Sequence, residues 1–505
     1  MDEDQFSLIP TPDGQLVGRP LEQLPVVRRV TSEVLAHANS LAVEPKRVRI
    51  AGFELRAPDA ELITTWAGAI QISPDDLLHH LAKTRLSARK WKYPSVVDFE
   101  VVDFEMIDGE LRSLVWDLDR FPRFPDLWVS GLKLQRFGLW TSKGINTEVT
   151  LTPNAPDLIE LWAWASPRGT LPPGPLPTLT NICLRDVTRL RRLMCSAFII
   201  RELDLAFTPH LTELICNECN LTAIDLSLVQ DLKSLACSEN QLTAIDLSPV
   251  RGLQELYCHR NQLPLLDLSP VPSLKALGCH ANQLTELDTS PVPGLKILWC
   301  SHNQLTRLDL SPTTALQALD CSDNQLTALD LSVAPALERL ICSENQLAEL
   351  DLSAVPGLEI FTCGGNQLTE ITLSYVTGLQ ELDCRNNKLT ALDLSPVTAL
   401  QQLDCSKNNI TKLDLMPVAA LEQIDCSENK ITKLDLTSVT ALEQLDCSKN
   451  EIAKLDLSPV TALDTLDCTE NKLTELDLQA GLNLLWCDQT VVLRNKPQNL
   501  LVIRR

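Results

Sequence analysis

From about Leu190 to Cys487 the apolar residues recur in one fixed spacing that repeats every 21 residues. A representative unit places Leu400, Leu403, Cys405, Ile410, Leu413 and Leu415 around Asn408. Near Leu403 the apolar and polar positions alternate. That alternation predicts a short strand with Leu403 and Cys405 facing one side and Gln402, Asp404 and Ser406 facing the other. One such strand cannot bury its apolar side alone, but stacked copies share a continuous core and a parallel sheet. The Leu-Asp-Leu-Ser-Pro stretch after it predicts the returning side of each coil. So few residues per turn leave little room for a helix there, and extended or 3₁₀ segments are expected.

Fourteen cysteines fall in the 21-residue register, from Cys195 to Cys468, and an asparagine stands three residues after each of the last twelve. The inward thiols, including Cys237, Cys258, Cys279 and Cys300, predict a ladder of small apolar fillers. Asn240, Asn261, Asn282, Asn303 and their successors sit where the chain leaves the strand, and their amides can bond backbone groups of that turn and its neighbours. An aspartate recurs on the return from Asp204 to Asp477, replaced only by Thr372, and is expected to hold a turn through its own side chain.

The motif L-x-x-L-x-C-x-x-N-x-L matches the leucine-rich-repeat signature with Cys in the third Leu place. In phrases such as NQLTALDLSPVTALQALDCSDNQLT the chain resembles the cysteine-ladder, internalin J-type branch of bacterial leucine-rich-repeat proteins. The resemblance implies a curved, protein-binding scaffold. The expected fold is therefore a leucine-rich-repeat solenoid: a curved right-handed parallel β-sheet on the concave face, extended or 3₁₀ convex segments, and a small α+β region in front.

Four segments are expected: a mixed helical and strand domain or cap over 1–145, divergent first repeats with a Pro-rich insert over 146–189, regular repeats over 190–487, and a cap over 488–505. In the divergent part Ala163 takes the Cys place, while Ile182 and Leu184 take the Leu-Asp-Leu places. The tail VVLRNKPQNLLVIRR is expected to close the solenoid as a hairpin. Upstream, Asp59 to Ala69 and Ser73 to Arg85 predict two helices, the second with Ser73 as N-cap, Pro74 in its first turn, and Asp75 and Asp76 on the dipole. This pair faintly resembles a helix-turn-helix, with Arg85, Arg89, Lys90 and Lys92 after it.

Charge narrows the partners. The net charge is −22, and 26 Lys/Arg against 44 Asp/Glu lie beyond residue 150. Such a surface repels phosphate backbones and anionic membranes, so neither a nucleic acid nor a membrane is expected as partner. The opening residues have no apolar core of signal-peptide length, and no stretch is long and apolar enough to span a bilayer. A cytoplasmic monomer is expected, with release by a route that needs no cleavable signal as the alternative.

No catalytic constellation and no cofactor site is readable. Cys216 and Cys219 form C-x-x-C, but Cys219 occupies the Asn place of the repeat. Ladder cysteines point the same way from one row, a poor geometry for disulfides, so reduced thiols are expected.

The outward residue before each ladder cysteine is variable from Met194 to Thr362 and then becomes a row of aspartates from Asp383 to Asp467, which Arg385, Lys407 and Lys449 are placed to offset. Tyr257, His259, Arg260, His280, Trp299, His302, Arg339 and Ile341 break the consensus with residues typical of protein interfaces. They are the candidate partner-binding set. His259 and His280 should stand about 5 Å apart on adjacent strands, without a third metal ligand. The expected function is a non-enzymatic protein-binding scaffold. A translocated effector using the same repeats, or a DNA-binding or enzymatic N-terminal domain, are the alternatives.

Overall fold

In the computed structural model the described residues are 6–10, 16–20, 47–50, 53–83, 104–107, 110–117, 132–141, 148–151, 153–165, 178–182, 184–200 and 203–504. Each regular repeat contributes a strand of three residues, such as Glu255–Tyr257, Ala276–Gly278 and Ile297–Trp299. Equivalent residues pair directly, so Tyr257 stands beside Gly278 and Gly278 beside Trp299. Twenty strands join in one sheet, running from Phe104–Ile107 to Leu501–Arg504. All its pairings are parallel except the first, between Phe104–Ile107 and Glu110–Asp117.

The inward Leu and Cys of every strand are buried, as are the Leu and Val of the returns. The return carries no helix. It is built from successive turns, as where the amide of Val250 donates to Leu247 (3.1 Å) and that of Leu253 to Val250 (2.9 Å). The recurring aspartate holds the first of these turns as expected, Asp246 Oδ1 accepting the amide of Ser248 at 2.9 Å.

The asparagines stitch neighbouring coils. Asn261 Nδ2 donates to the carbonyls of Cys237 and Cys258, both at 3.0 Å, and its Oδ1 accepts the amide of Leu242 at 2.9 Å. The residue before each asparagine lies in the left-handed region, from Glu239 (φ 56°) to Glu470 (φ 55°), and only Gly365 is a residue for which that costs nothing. This kink turns the chain out of the strand.

The parallel sheet begins upstream of residue 146. Glu110–Asp117 pairs with Arg136–Thr141, which pairs with Glu160–Ala165, and Ala163 stands in register with Cys195. Helix α1 (Ala57–Ala69) and helix α2 (Pro74–Lys83) close this end of the core. Their Leu62, Ile63, Trp66, Leu77 and Leu81 share one apolar cluster with Leu111, Leu114 and Phe137, and the Trp66 and Phe137 rings lie 5.9 Å apart. Ser73 caps α2 as expected, its Oγ accepting the amide of Asp76 at 3.0 Å. In a DNA reader α2 would be the recognition helix, yet its N-terminus presents exposed Asp75 and Asp76, a poor end to offer phosphates. Arg85, Arg89, Lys90 and Lys92 lie outside the described residues.

The tail departs from expectation. Val492–Arg494 and Leu501–Arg504 do not form a hairpin. Each adds in parallel to the strand below it, Glu475–Asp477 and Leu484–Cys487 respectively. Apolar residues at coil spacing propagate the coil, and Pro497 and its neighbours supply a return instead of a tight reversal.

Candidate binding face on the concave sheet

A strand position two residues from another shares its face, so the residues before and after each inward Leu line the concave surface. Between Met194 and Trp299 these residues form an apolar cluster distinct from the main core: Ile215, Ala236, Tyr257 and Ala276, with Met194, Ile297 and Trp299 packed on it. Gly278 explains the aromatic pairing. A Cβ there would meet Tyr257 Cδ1 at 2.9 Å, and without it the Tyr257 and Trp299 rings lean together to 6.3 Å.

The candidate residues separate in space. Tyr257 belongs to the cluster but is only 4 % exposed, so it is floor rather than the exposed anchor expected from sequence, because Trp299 and its neighbours cover it. Trp299 is half-buried and open to a partner. His259 and His280 stack at 4.2 Å with nearly parallel planes, and Ser238 Oγ bonds His259 Nδ1 at 2.8 Å. Burial, helped by His280 and Arg260, pulls His259 down to about 3. His280 is lowered too, mainly by burial, and its Nδ1 has no hydrogen-bond partner. Both rings are therefore neutral at ordinary pH, and parallel rings cannot converge on one ion.

Arg260 and His302 turn to the rim, where they face Glu239 at 3.6 Å and Asp323 at 3.4 Å. Arg339 and Ile341 lie beyond Trp299, with Ala318 and Asp320 on the intervening strand. No group of three or more His, Cys, Asp or Glu able to hold a metal occurs among the described residues. The sixteen described cysteines are free and buried; burial raises their thiols, to about 12 at Cys237 and Cys279. Cys219 fills the Asn place and donates its thiol to the carbonyls of Cys195 and, at 3.2 Å, Asn217.

The aspartate row has a local cause. Asp404, Asp425 and Asp467 each accept the hydroxyl and the amide of the Ser or Thr two residues on, at 2.6 to 3.0 Å. These residues line an acidic groove of about 600 Å³ that ends at Trp486. Arg385 bridges Asp383 (3.5 Å) and Asp404 (3.4 Å) as expected, and Lys449 pairs with Glu428 at 3.0 Å.

One set of residues escaped the sequence reading. Arg136, Glu160, Arg192, Glu213, Ser234 and Glu255 stand side by side on successive strands. Arg192 links Glu160 (3.4 Å) and Glu213 (3.0 Å). Their signal was the position three before each cysteine, the second outward residue of the strand.

Comparison with solved structures gives the same architecture. The functional domain of InlJ from Listeria monocytogenes, which includes a cysteine ladder, is 32% identical over 60% of this chain and 71% of that one, with a TM-score of 0.56. YopM from Yersinia enterocolitica is 27% identical over 77% of this chain and 87% of that one, also at 0.56. YopM from Yersinia pestis, described as a leucine-rich effector protein, is 28% identical over 59% and 84%, at 0.53. No family model and no curated protein matches the chain.

Proposed function

The chain belongs to the cysteine-ladder leucine-rich-repeat family, and from that premise we propose that it is a non-enzymatic scaffold binding a partner protein on the concave face between Met194 and Thr362. The observation that carries this is the apolar cluster on an outward sheet face, where the repeat elsewhere places Asp and Gln. Aromatic and aliphatic side chains gathered outside the core are the usual centre of a protein interface. The half-buried Trp299 is its anchor, resting on Tyr257. A monomer in a reducing, cytoplasmic setting suits the free buried thiols.

A second reading keeps the scaffold and makes it a translocated effector, favoured by the likeness to YopM. Secretion assays of the tagged chain separate the two.

The binding reading is tested by lysate pull-down with wild type and an Ile297→Ser/Trp299→Ala variant, after circular dichroism has shown the variant folded. A partner held by wild type and lost from the folded variant supports it. Equal retention by both sinks it.

A further inference from the structure

Beside the apolar cluster lies an unbalanced set of charges. Along the row that starts at Arg136 the signs alternate as far as Glu213, and Ser234 and Glu255 follow. Glu213 is 7 % exposed; Arg192 takes its Oε2 at 3.0 Å, while Oε1 has no hydrogen-bond partner. Glu255 receives the Ser234 hydroxyl at 3.1 Å, and no cation among the described residues pairs with it. Burial raises the Glu213 carboxyl; Arg192 lowers it, and Glu255 and Glu160 raise it further.

One strand, that of Ser234, lies between Glu213 and Glu255, which places them two strand spacings or about 10 Å apart. Ile215, Ala236 and Tyr257 lie next to them on the same face, two residues along each strand. A buried carboxylate oxygen without a donor is costly, and a donor brought by a partner removes that cost. The group that suits carboxylates set against an apolar floor is a cation on a long aliphatic stem.

We propose that the concave face takes a basic, amphipathic polypeptide segment that inserts a Lys or Arg between Glu213 and Glu255, with its stem on Ile215 and Tyr257 and an adjacent apolar side chain on Trp299. This rests on the reading that the partner docks on this face. Oε1 is covered in the free protein, so arrival of the cation is coupled to a turn of the Glu213 side chain. The wider field agrees in sign. Past Trp299 the same face carries Asp320 and then Asp383 to Asp467, which draw a basic segment along the sheet and repel phosphate-bearing ligands.

The test pans a phage-displayed random peptide library on the full chain and measures the recovered peptides, made synthetically, against variants. The expected peptides pair Lys or Arg with an aromatic or aliphatic residue. They bind Glu213→Gln/Glu255→Gln about ten-fold more weakly than wild type, bind Trp299→Ala more weakly, and lose affinity with salt. A charge-matched Glu422→Gln/Glu443→Gln variant, altered at exposed positions, should bind within about two-fold of wild type.

Peptides without basic residues, or unaffected by Glu213→Gln/Glu255→Gln, overturn the cation site; if Trp299→Ala still weakens them, docking on the face survives. Equal losses in the charge-matched variant overturn it as well, since only net charge would then matter. An empty selection overturns it too, and the pull-down with the Ile297→Ser/Trp299→Ala variant decides the docking reading separately. Peptides indifferent to Trp299→Ala count against both.

Discussion

At the residue scale the asparagine does most to hold one coil to the next. Asn345 donates to the carbonyls of Cys321 (3.0 Å) and Cys342 (3.2 Å) and accepts from the amide of Leu326 (2.9 Å), so one side chain satisfies three buried backbone groups in two repeats. Alanine leaves the Leu326 amide without its acceptor and takes one of two donors from each carbonyl, since Asn324 still reaches Cys321 (3.1 Å) and Asn366 reaches Cys342 (3.0 Å). Asn345→Ala should cost about 3 kcal/mol, read by urea unfolding. Hydrogen exchange should accelerate at Leu326 and its neighbours before the ends of the solenoid. A loss below about 0.5 kcal/mol would mean that the amide contributes no net bonding. Both the ladder position and its bonding pattern were legible from spacing alone, because every copy repeats the same environment.

At the element scale each regular-repeat strand is only three residues long, and the kink at its end decides its outward side chain. Except at Asp383, where Arg385 follows, an aspartate before the cysteine is matched by a serine or threonine after it, as at Asp425 and Ser427, because the carboxylate ties down the start of the kink. Where His259 and His280 take the serine place, Tyr257 and Gly278 take the aspartate place. The bonds from hydroxyl to carboxylate give the aspartate row a local physical reason. Neighbours still repel: burial first, then Asp404 and Asp446, raise the Asp425 carboxyl against the pull of Ser427. A carboxyl raised on folding contributes stability that is present below its unfolded value near 3.9 and lost as pH rises through the folded value. Asp425→Asn keeps the acceptor for Ser427 and removes the charge. It should melt at a higher temperature than wild type at pH 7, with the difference vanishing below about pH 4. Melting curves from pH 3 to 8 check this, and a gap that widens in acid would contradict it.

At the scale of the whole molecule a solenoid contacts only its neighbours, so its ends set where it opens. Helices α1 and α2 cover the first strands through Trp66, which is fully buried against Phe137. Trp66→Ala should cost about 3–5 kcal/mol locally. Hydrogen exchange should rise in strands Glu110–Asp117 and Arg136–Thr141, while Asn345 and its neighbours stay protected. Uniform loosening would mean that the cap and the repeats fold as one cooperative unit.

The sequence by itself determined the coil: its 21-residue period, the strand, the thiol and asparagine ladders, and the aspartate turns. Each rests on contacts between adjacent copies, so periodicity reports them directly. The outward row before each cysteine was legible too, and it held Trp299. Other features were decided only in three dimensions. Tyr257 became floor because Gly278, one coil away, leaves its ring room. Arg260 and His302 sit at the rim because each occupies the left-handed kink before its asparagine, where Glu239 and Asp323 of adjoining coils face them. Glu213 was left half-satisfied because Arg192 takes only one of its oxygens. These depend on which unlike side chains meet across the sheet, and a repeat pattern averages such differences away.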